Sequence, residues 1–379
     1  MEKSFLESPL FLSFSQIPDP RVRKRCKYTL IEVIVISICG VMCGCEGWVE
    51  IEEIEEFANE RVDFFKRFFS LNGGIPSHDT FARCFSLLDP TLFESAFMHW
   101  ICSVKGVGEK AISIDGKAIS GTHRGFNSGT YPLYLVNVLC QESGLTLSQM
   151  RAEGPGHGEI FAAEECLEKL MLEGTLVTMD AGIGVKRISD KIRERNGDYL
   201  LPLKKNQKYS LKVVKELFEE KKRKSEDAES SEKGRGREEK RSVRVLKVTT
   251  KDHAYLENWK DLKTAIEIKR ERKVLKTEEK TQQTFYYISS RKLSAFEALK
   301  AIRNHWLIEN KLHWGLDVSF LEDSWKVRER IAAENLSLVR KICFNFLQKT
   351  PGKQSKRIKM KKASWNLNYL ETVLFETKF

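Results

Sequence analysis

Three acidic residues occupy positions from which carboxylates do chemistry. Asp115 follows the alternating run Ala111-Ile112-Ser113-Ile114, Asp180 closes the apolar run that starts at Thr175, and each precedes a glycine-containing turn. Strand-end aspartates often only form turns, yet in open α/β sheets the same positions carry function, so either reading serves each aspartate alone. Glu309 lies in a helix-like run at 294–316, on one stripe with Leu299, Ile302, Trp306 and His313. That stripe predicts an inward-facing carboxylate, which costs several kcal/mol unless a distant Lys or Arg, or a metal ion, meets it. Asp317, Glu322 and Asp323 compete for the third acidic place, and the predicted inward position favours Glu309. Two carboxylates about 4 Å apart repel by about 4 kcal/mol at an effective dielectric of about 20, so a cluster of three holds divalent cations or sheds charge by protonation. Oxygen-only ligation suits Mg²⁺ or Mn²⁺ rather than zinc. A pair of such ions about 3.5 to 4 Å apart activates a water or hydroxyl and stabilises the leaving oxygen of a phosphodiester.

Several other side chains fit that chemistry or a plainer one. Lys117, Lys204 and Lys205 sit beside predicted strand ends, where they neutralise phosphates or simply face solvent. His305, one turn before Glu309, either orients it and touches a phosphate or is a packed, hydrogen-bonded histidine. Trp306 and Trp314 can stack on a base, although core packing is the favoured reading of both. Lys and Arg total 64 against 53 Asp and Glu, a net charge of +11 that favours polyanionic partners.

Nine scattered cysteines in apolar surroundings read as reduced thiols of a cytosolic protein. Cys39, Cys43 and Cys45 lack the CxxC spacing or nearby histidine of a zinc site. The apolar run at 28–45 is broken by Glu32 and Gly40 and is shorter than a membrane span requires, which predicts a core helix and no membrane partner.

The elements that must position these residues follow from periodicity. Residues 1–104 form a helical domain without a clear strand, ending in two helices. The break at 73–76, a cap at Ser77 or Asp79, and Asp89-Pro90 punctuate that pair, which suits either a DNA groove or ordinary packing. From 105 to 218 strands and helices alternate: strands at 111–115, 131–141, 145–151, 175–180 and 198–203, helices at 159–172, 185–195 and 209–222. This is the pattern of a mixed α/β sheet flanked by helices. Residues 219–292 form an insertion: a charged segment at 219–241, read as a mobile loop, then strands at 242–250, 264–273 and 283–289. Helices return at 293–349, the first opened by the capping box Ser294/Glu297, and 350–379 is a basic tail.

A set of motifs runs through this framework: IPDPR at 17–21, GCEGWVEIEEIEEF at 44–57, GIPSHDTFAR at 74–83, SIDGK at 113–117, TMDAG at 178–182, LKKNQ at 203–207, YYISS at 286–290 and RNHWLIENKLHWGLDVSFLED at 303–323. Together they make residues 17–347 resemble the H-repeat-associated family of bacterial insertion-sequence DDE transposases. The resemblance implies a ribonuclease-H-like catalytic domain with a five-stranded mixed sheet, and a β-rich insertion before the catalytic glutamate. It also implies that Asp115, Asp180 and Glu309 are the metal-binding carboxylates, holding two Mg²⁺ or Mn²⁺ ions. The activity implied is nicking at double-stranded element ends, followed by attack of the freed 3′-hydroxyl on target DNA. A homodimer on DNA, in the cytoplasm and at the nucleoid, is the implied assembly. Two other readings stand beside it: an inactive or domesticated DNA-binding relic, and a ribonuclease-H-like nuclease that cuts without joining.

Overall fold

The computed structural model describes residues 5–22, 26–46, 53–104, 110–123, 131–220, 224–234, 236–325, 327–377 and 379. Residues 47–52 of the 44–57 motif and the predicted domain boundary at 104/105 (residues 105–109) therefore lie wholly or partly outside the described residues, as do 221–223 and 235 of the charged segment.

The first helices are α1 (Pro9–Phe14), α2 (Leu30–Met42), α3 (Glu53–Asn59), α4 (Val62–Phe65), α5 (His78–Leu87) and α6 (Pro90–Val104), with no strand among the described residues before 111. The Glu32 that interrupts the apolar run at 28–45 is the reason α2 starts where it does. Its carboxylate accepts from the Thr29 backbone N–H at 2.6 Å while the Thr29 hydroxyl accepts from the Glu32 N–H, a reciprocal capping box. The rest of α2 is buried among other helices, as expected of a core helix. No described helix is long and apolar enough to cross a membrane.

The sheet contains β1 (Ala111–Ile119), β2 (Leu133–Cys140), β3 (Thr146–Ala152), β4 (Leu176–Met179), β5 (Asp198–Leu203), β6 (Glu226–Gly234), β7 (Arg237–Lys247), β8 (Thr264–Val274) and β9 (Lys280–Ser289). Helix α7 (His157–Lys169) connects β3 to β4, α8 (Lys186–Glu194) connects β4 to β5, and α9 (Lys208–Glu219) follows β5. Strands β1, β4 and β5 run parallel, and every other pairing is antiparallel. The spatial order is β3-β2-β1-β4-β5-β9-β8-β7-β6, so the sheet has nine strands and not the expected five. The reason is that β5 is not an edge: Leu200 to Leu203 pair with Ser289 to Tyr286, and the insertion continues the same sheet.

The charged segment at 219–241, expected to be a mobile loop, forms most of the β6–β7 hairpin. Its charges stabilise the pairing, because opposite signs meet on and across strands: Lys233 reaches Glu238 at 3.8 Å, and Arg241 reaches Glu232 at 3.5 Å and Glu239 at 2.6 Å.

After β9 come α10 (Ala295–His305), a π-helical segment (Ile308–His313), α11 (Trp314–Ser319) and α12 (Arg330–Lys349). Helix α12 packs against α2, α5 and α6 on one side and against β2 and β3 on the other, and is buried almost throughout. Asn345 on α12 ties it to the sheet, accepting from Thr146 N and donating to Thr146 O, each at 2.8 Å. The expected basic tail at 350–379 contains α13 (Lys356–Trp365) and α14 (Leu367–Glu371). Met360, Ala363 and Leu370 are buried in the main core, and apolar burial outweighs the local positive charge.

Asn345→Ala leaves both Thr146 backbone groups buried and unpaired, so a loss of about 1–3 kcal/mol is expected. The midpoint of urea unfolding measures it, and an unchanged midpoint contradicts the tie.

Candidate active site

Strands β1 and β4 are parallel and in register up to Ile114↔Met179, so the next residues, Asp115 and Asp180, emerge side by side. Asp180 leaves its strand there, as expected. Asp115 does not: β1 continues to Ile119 paired with β2, and Asp115 lies opposite Asn137. The expected turn at Gly116 is therefore strand. Gly116 leaves room for the carboxylate of Glu159, near the start of α7, which lies against it. Glu159 is thus a fourth acid beside Asp115. Sequence reasoning passed over it as an ordinary helix-start residue.

Glu309 arrives from the π-helical segment. The capping box that opens α10 is present, with Glu297 accepting from Ser294 N at 2.9 Å and Ser294 Oγ accepting from Glu297 N. The predicted stripe holds through Leu299 and Ile302, then slips. The wider π turn passes the inward face to Ile308, Leu312 and Leu316, all fully buried. Glu309 is consequently exposed rather than inward-facing, because aliphatic side chains fill the interior positions at none of the cost of a buried carboxylate. Trp306 and Trp314 move out with it, at 45 % and 60 % exposure, which reverses the expectation of core packing.

Glu309 and Asp180 open into one cleft, whose walls include Lys204, Arg270, Tyr287, His305 and Trp306. Burial, then the Glu309 charge, then those of Asp180 and Glu159 push the Asp115 carboxyl up to about 7, against the lowering effect of the Gly116 N–H. Glu309 is raised by the partial loss of hydration in the cleft and by Asp180, with Lys204 opposing. Burial would also raise Asp180, but the Lys204 ammonium at 2.8 Å and the Ala181 N–H hold it below its ordinary value.

Lys204 is placed by its own motif. Asn206 donates to Ala181 O at 2.7 Å and Gln207 to Gly184 O at 3.1 Å, which pins the end of β5 to the turn after Asp180. Lys205 is exposed on the same turn. His305 is partly buried with its Nδ1 3.0 Å from the Thr178 hydroxyl, and burial lowers it to about 4, so it is the hydrogen-bonded histidine of the plainer reading.

Lys117 lies elsewhere, among a different set of acids. It is buried, with its ammonium 2.8 Å from Asp317, 2.9 Å from Asp323 and 3.5 Å from Glu322. This cluster accounts for the three acids that compete with Glu309 in the sequence, and it leaves Lys117 unavailable to a phosphate.

Whether a divalent ion suits the mouth depends on the donors present. Asp115, Asp180 and Glu309 are an oxygen-only set whose mutual repulsion a cation relieves, and the Lys204 ammonium already stands in for one on Asp180. As placed, no three His, Cys, Asp or Glu among the described residues are close enough to share one ion, so ligation requires Lys204 to leave and the carboxylates to converge.

Two outcomes follow from these placements. The folded Asp115 holds its proton up to about pH 7 while the unfolded chain loses it near 3.8, so its contribution to stability falls as pH rises through that window. Asp115→Asn in chelator-treated protein is expected to stabilise by roughly 2 kcal/mol at pH 8 and hardly at all at pH 4, read by denaturation at each pH. Lys117→Met should cost about 3 kcal/mol by stranding three carboxylates. A variant of unchanged stability with a shallower salt dependence of DNA binding would instead make Lys117 a phosphate ligand.

The family model described as "Transposase DDE domain" matches residues 107–346, and the DDE_Tnp_1-associated model matches residues 11–101. The "H repeat-associated putative transposase YhhI" of Escherichia coli K12 is 35 % identical over 368 residues, 95 % of this chain and 96 % of that protein. "Putative transposase YncI" of Escherichia coli O157:H7 is 35 % identical over 95 % of this chain and 93 % of its own. A piggyBac transposase, solved in a synaptic complex with hairpin DNA, aligns loosely, with a TM-score of 0.44 at 10 % identity over 98 % of this chain and 78 % of its own. A domain match across well over half of the chain and near full-length relatives lead to one assignment: the chain belongs to the DDE transposase family and is similar to its H-repeat-associated members.

Proposed function

We propose that this protein is a DNA transposase that hydrolyses one phosphodiester at each end of its element and then joins the freed 3′-hydroxyl to target DNA. The observation that carries the reading is that Asp115 and Asp180 leave neighbouring strands side by side, that Glu309 opens into the cleft of Asp180, and that the charges of Asp180 and Glu309 both raise Asp115. The order of the first five strands across the sheet, β3-β2-β1-β4-β5 with β1, β4 and β5 parallel, supports a ribonuclease-H-like core at about 105–218 and 293–349. The strands of 219–292 then form an insertion that lengthens its sheet, and 1–104 form a helical unit that contributes DNA contacts.

Asp115, Asp180 and Glu309 would hold two Mg²⁺ or Mn²⁺ ions, with Glu159 adding negative charge behind Asp115. Bound ions of this kind acidify a water or hydroxyl and offset charge on the leaving oxygen. The chain's own residues do the rest. Lys204, released from Asp180, and Lys205 beside it neutralise phosphates entering the mouth. A second groove shares Arg270, Phe285, Tyr287, Ile302 and Trp306 with the acidic cleft and is rimmed by Arg237, Arg241, Arg272 and Arg303. Glu232 and Glu239 offset part of that charge, and the surplus favours a polyanion. Joining both element ends in one event calls for two copies on DNA, and the site of action is the bacterial cytoplasm, at the nucleoid.

The test is cleavage and joining of DNA carrying the element's own ends, with and without Mg²⁺. Wild-type protein should nick and join only with the ion, and Asp115→Asn, Asp180→Asn or Glu309→Gln should each reduce the rate by at least about 100-fold with DNA binding retained. Cutting without joining would favour the nuclease reading. Binding without cutting would favour the relic.

A further inference from the structure

The π-helical segment brings a second group to the site. His313, four residues after Glu309, is only 12 % exposed, with Nδ1 3.7 Å from Asp115 Oδ2 and Nε2 3.4 Å from Asn137 Nδ2. Asn137 is fully buried and pairs directly with Asp115 across β1 and β2.

These contacts select one arrangement of protons. Asn137 Nδ2 lies 3.2 Å from Leu135 O, a carbonyl that can only accept. Turning the amide over would set two oxygens at that distance, so the nitrogen stays where it is. Among the described residues its buried Oδ1 has no partner, and the overturned amide would change that only by creating the oxygen–oxygen contact. Asn137 therefore donates to Leu135 O and, with its second hydrogen, to His313 Nε2. A nitrogen that accepts carries no proton, so the imidazole proton sits on Nδ1, on the side of Asp115.

We propose that His313 is a positioning residue for Asp115: its Nδ1–H, set by Asn137, engages one carboxylate oxygen and fixes how the other is presented to the reacting phosphate. The separation of 3.7 Å is about 0.7 Å longer than a formed hydrogen bond, which a small rotation of either side chain removes. One backbone segment thereby sets the third acid and braces the first. The assignment rests on the reading of Asp115 as a reacting-site acid.

The geometry of amide substitutes provides the test. The amide nitrogen of Asn overlays imidazole Nδ1, and that of Gln overlays Nε2. His313→Asn is expected to keep the single-turnover nicking rate and Mn²⁺ affinity of the wild type within about threefold. His313→Gln and His313→Ala should each lose about 10- to 100-fold in both, with DNA affinity and unfolding midpoint unchanged. Nitrogen-15 spectra of histidine-labelled protein without metal, at pH 7.5, should show His313 protonated at Nδ1 and should lose that preference in Asn137→Leu. Equal behaviour of the Asn and Gln variants, a loss explained by DNA affinity or unfolding, or a proton on Nε2 each overturns the assignment. Wild-type protein that neither nicks nor binds Mn²⁺ overturns the reading of the site itself and this assignment with it. A wild type that works and is indifferent to the substitutions overturns His313 alone.

Discussion

The structure is governed by a repulsion that it does not remove. Asp115 and Asp180 emerge side by side, Glu309 opens into the cleft of Asp180, and Glu159 lies beside Asp115; the Lys204 ammonium pairs with Asp180. Burial first, and then the charges of Glu309, Asp180 and Glu159, push Asp115 up to about 7, so this arrangement costs stability in the protein alone. Groups that weaken a fold in this way persist where a ligand of opposite charge uses them. The parallel register of β1 and β4 makes the first two acids neighbours, and the motif at 203–207 delivers the counter-charge by tying β5 to the turn after Asp180.

The third acid depends on a local irregularity. A continuous α-helix through 294–316 would place Glu309 with Leu299 and Ile302 in the interior. The π turn substitutes Ile308 and Leu312 there and moves Glu309 to the cleft, while His313 stays beside Asp115. Helix α12 then supplies rigidity from behind. Lys341 bonds Gln149 on β3 and Ser337 on its own helix, and Ser337 bonds Glu322 of the Lys117 cluster, so β1, β3 and the segment after α11 are linked. The site is open on the cleft side and braced on the core side.

Much of this was legible in the sequence where local rules decide. The strand at 198–203 was read to the residue, and the Ser294/Glu297 capping box marked the start of α10 because both of its partners lie within one turn. The slip after Ile302 was not legible, since a stripe argument assumes 3.6 residues per turn throughout and a π turn breaks that assumption. Lys117 was misread because its partners lie some two hundred residues away, at Asp317, Glu322 and Asp323, and no local pattern announces them. The hairpin β6–β7 was taken for a loop because charges that pair across strands look the same in sequence as charges that face water. The nine-stranded sheet turned on one non-local pairing, β5 with β9. Family resemblance named the three acids, and physical reading alone left each aspartate open between turn and ligand.

The most direct measurement of the central claim is anomalous scattering from crystals grown with Mn²⁺. The account predicts manganese bound within roughly 2 Å of carboxylate oxygens from Asp115, Asp180 and Glu309 together, with Lys204 displaced from Asp180. Manganese found only at other acids, with Lys204 still paired to Asp180, would contradict it.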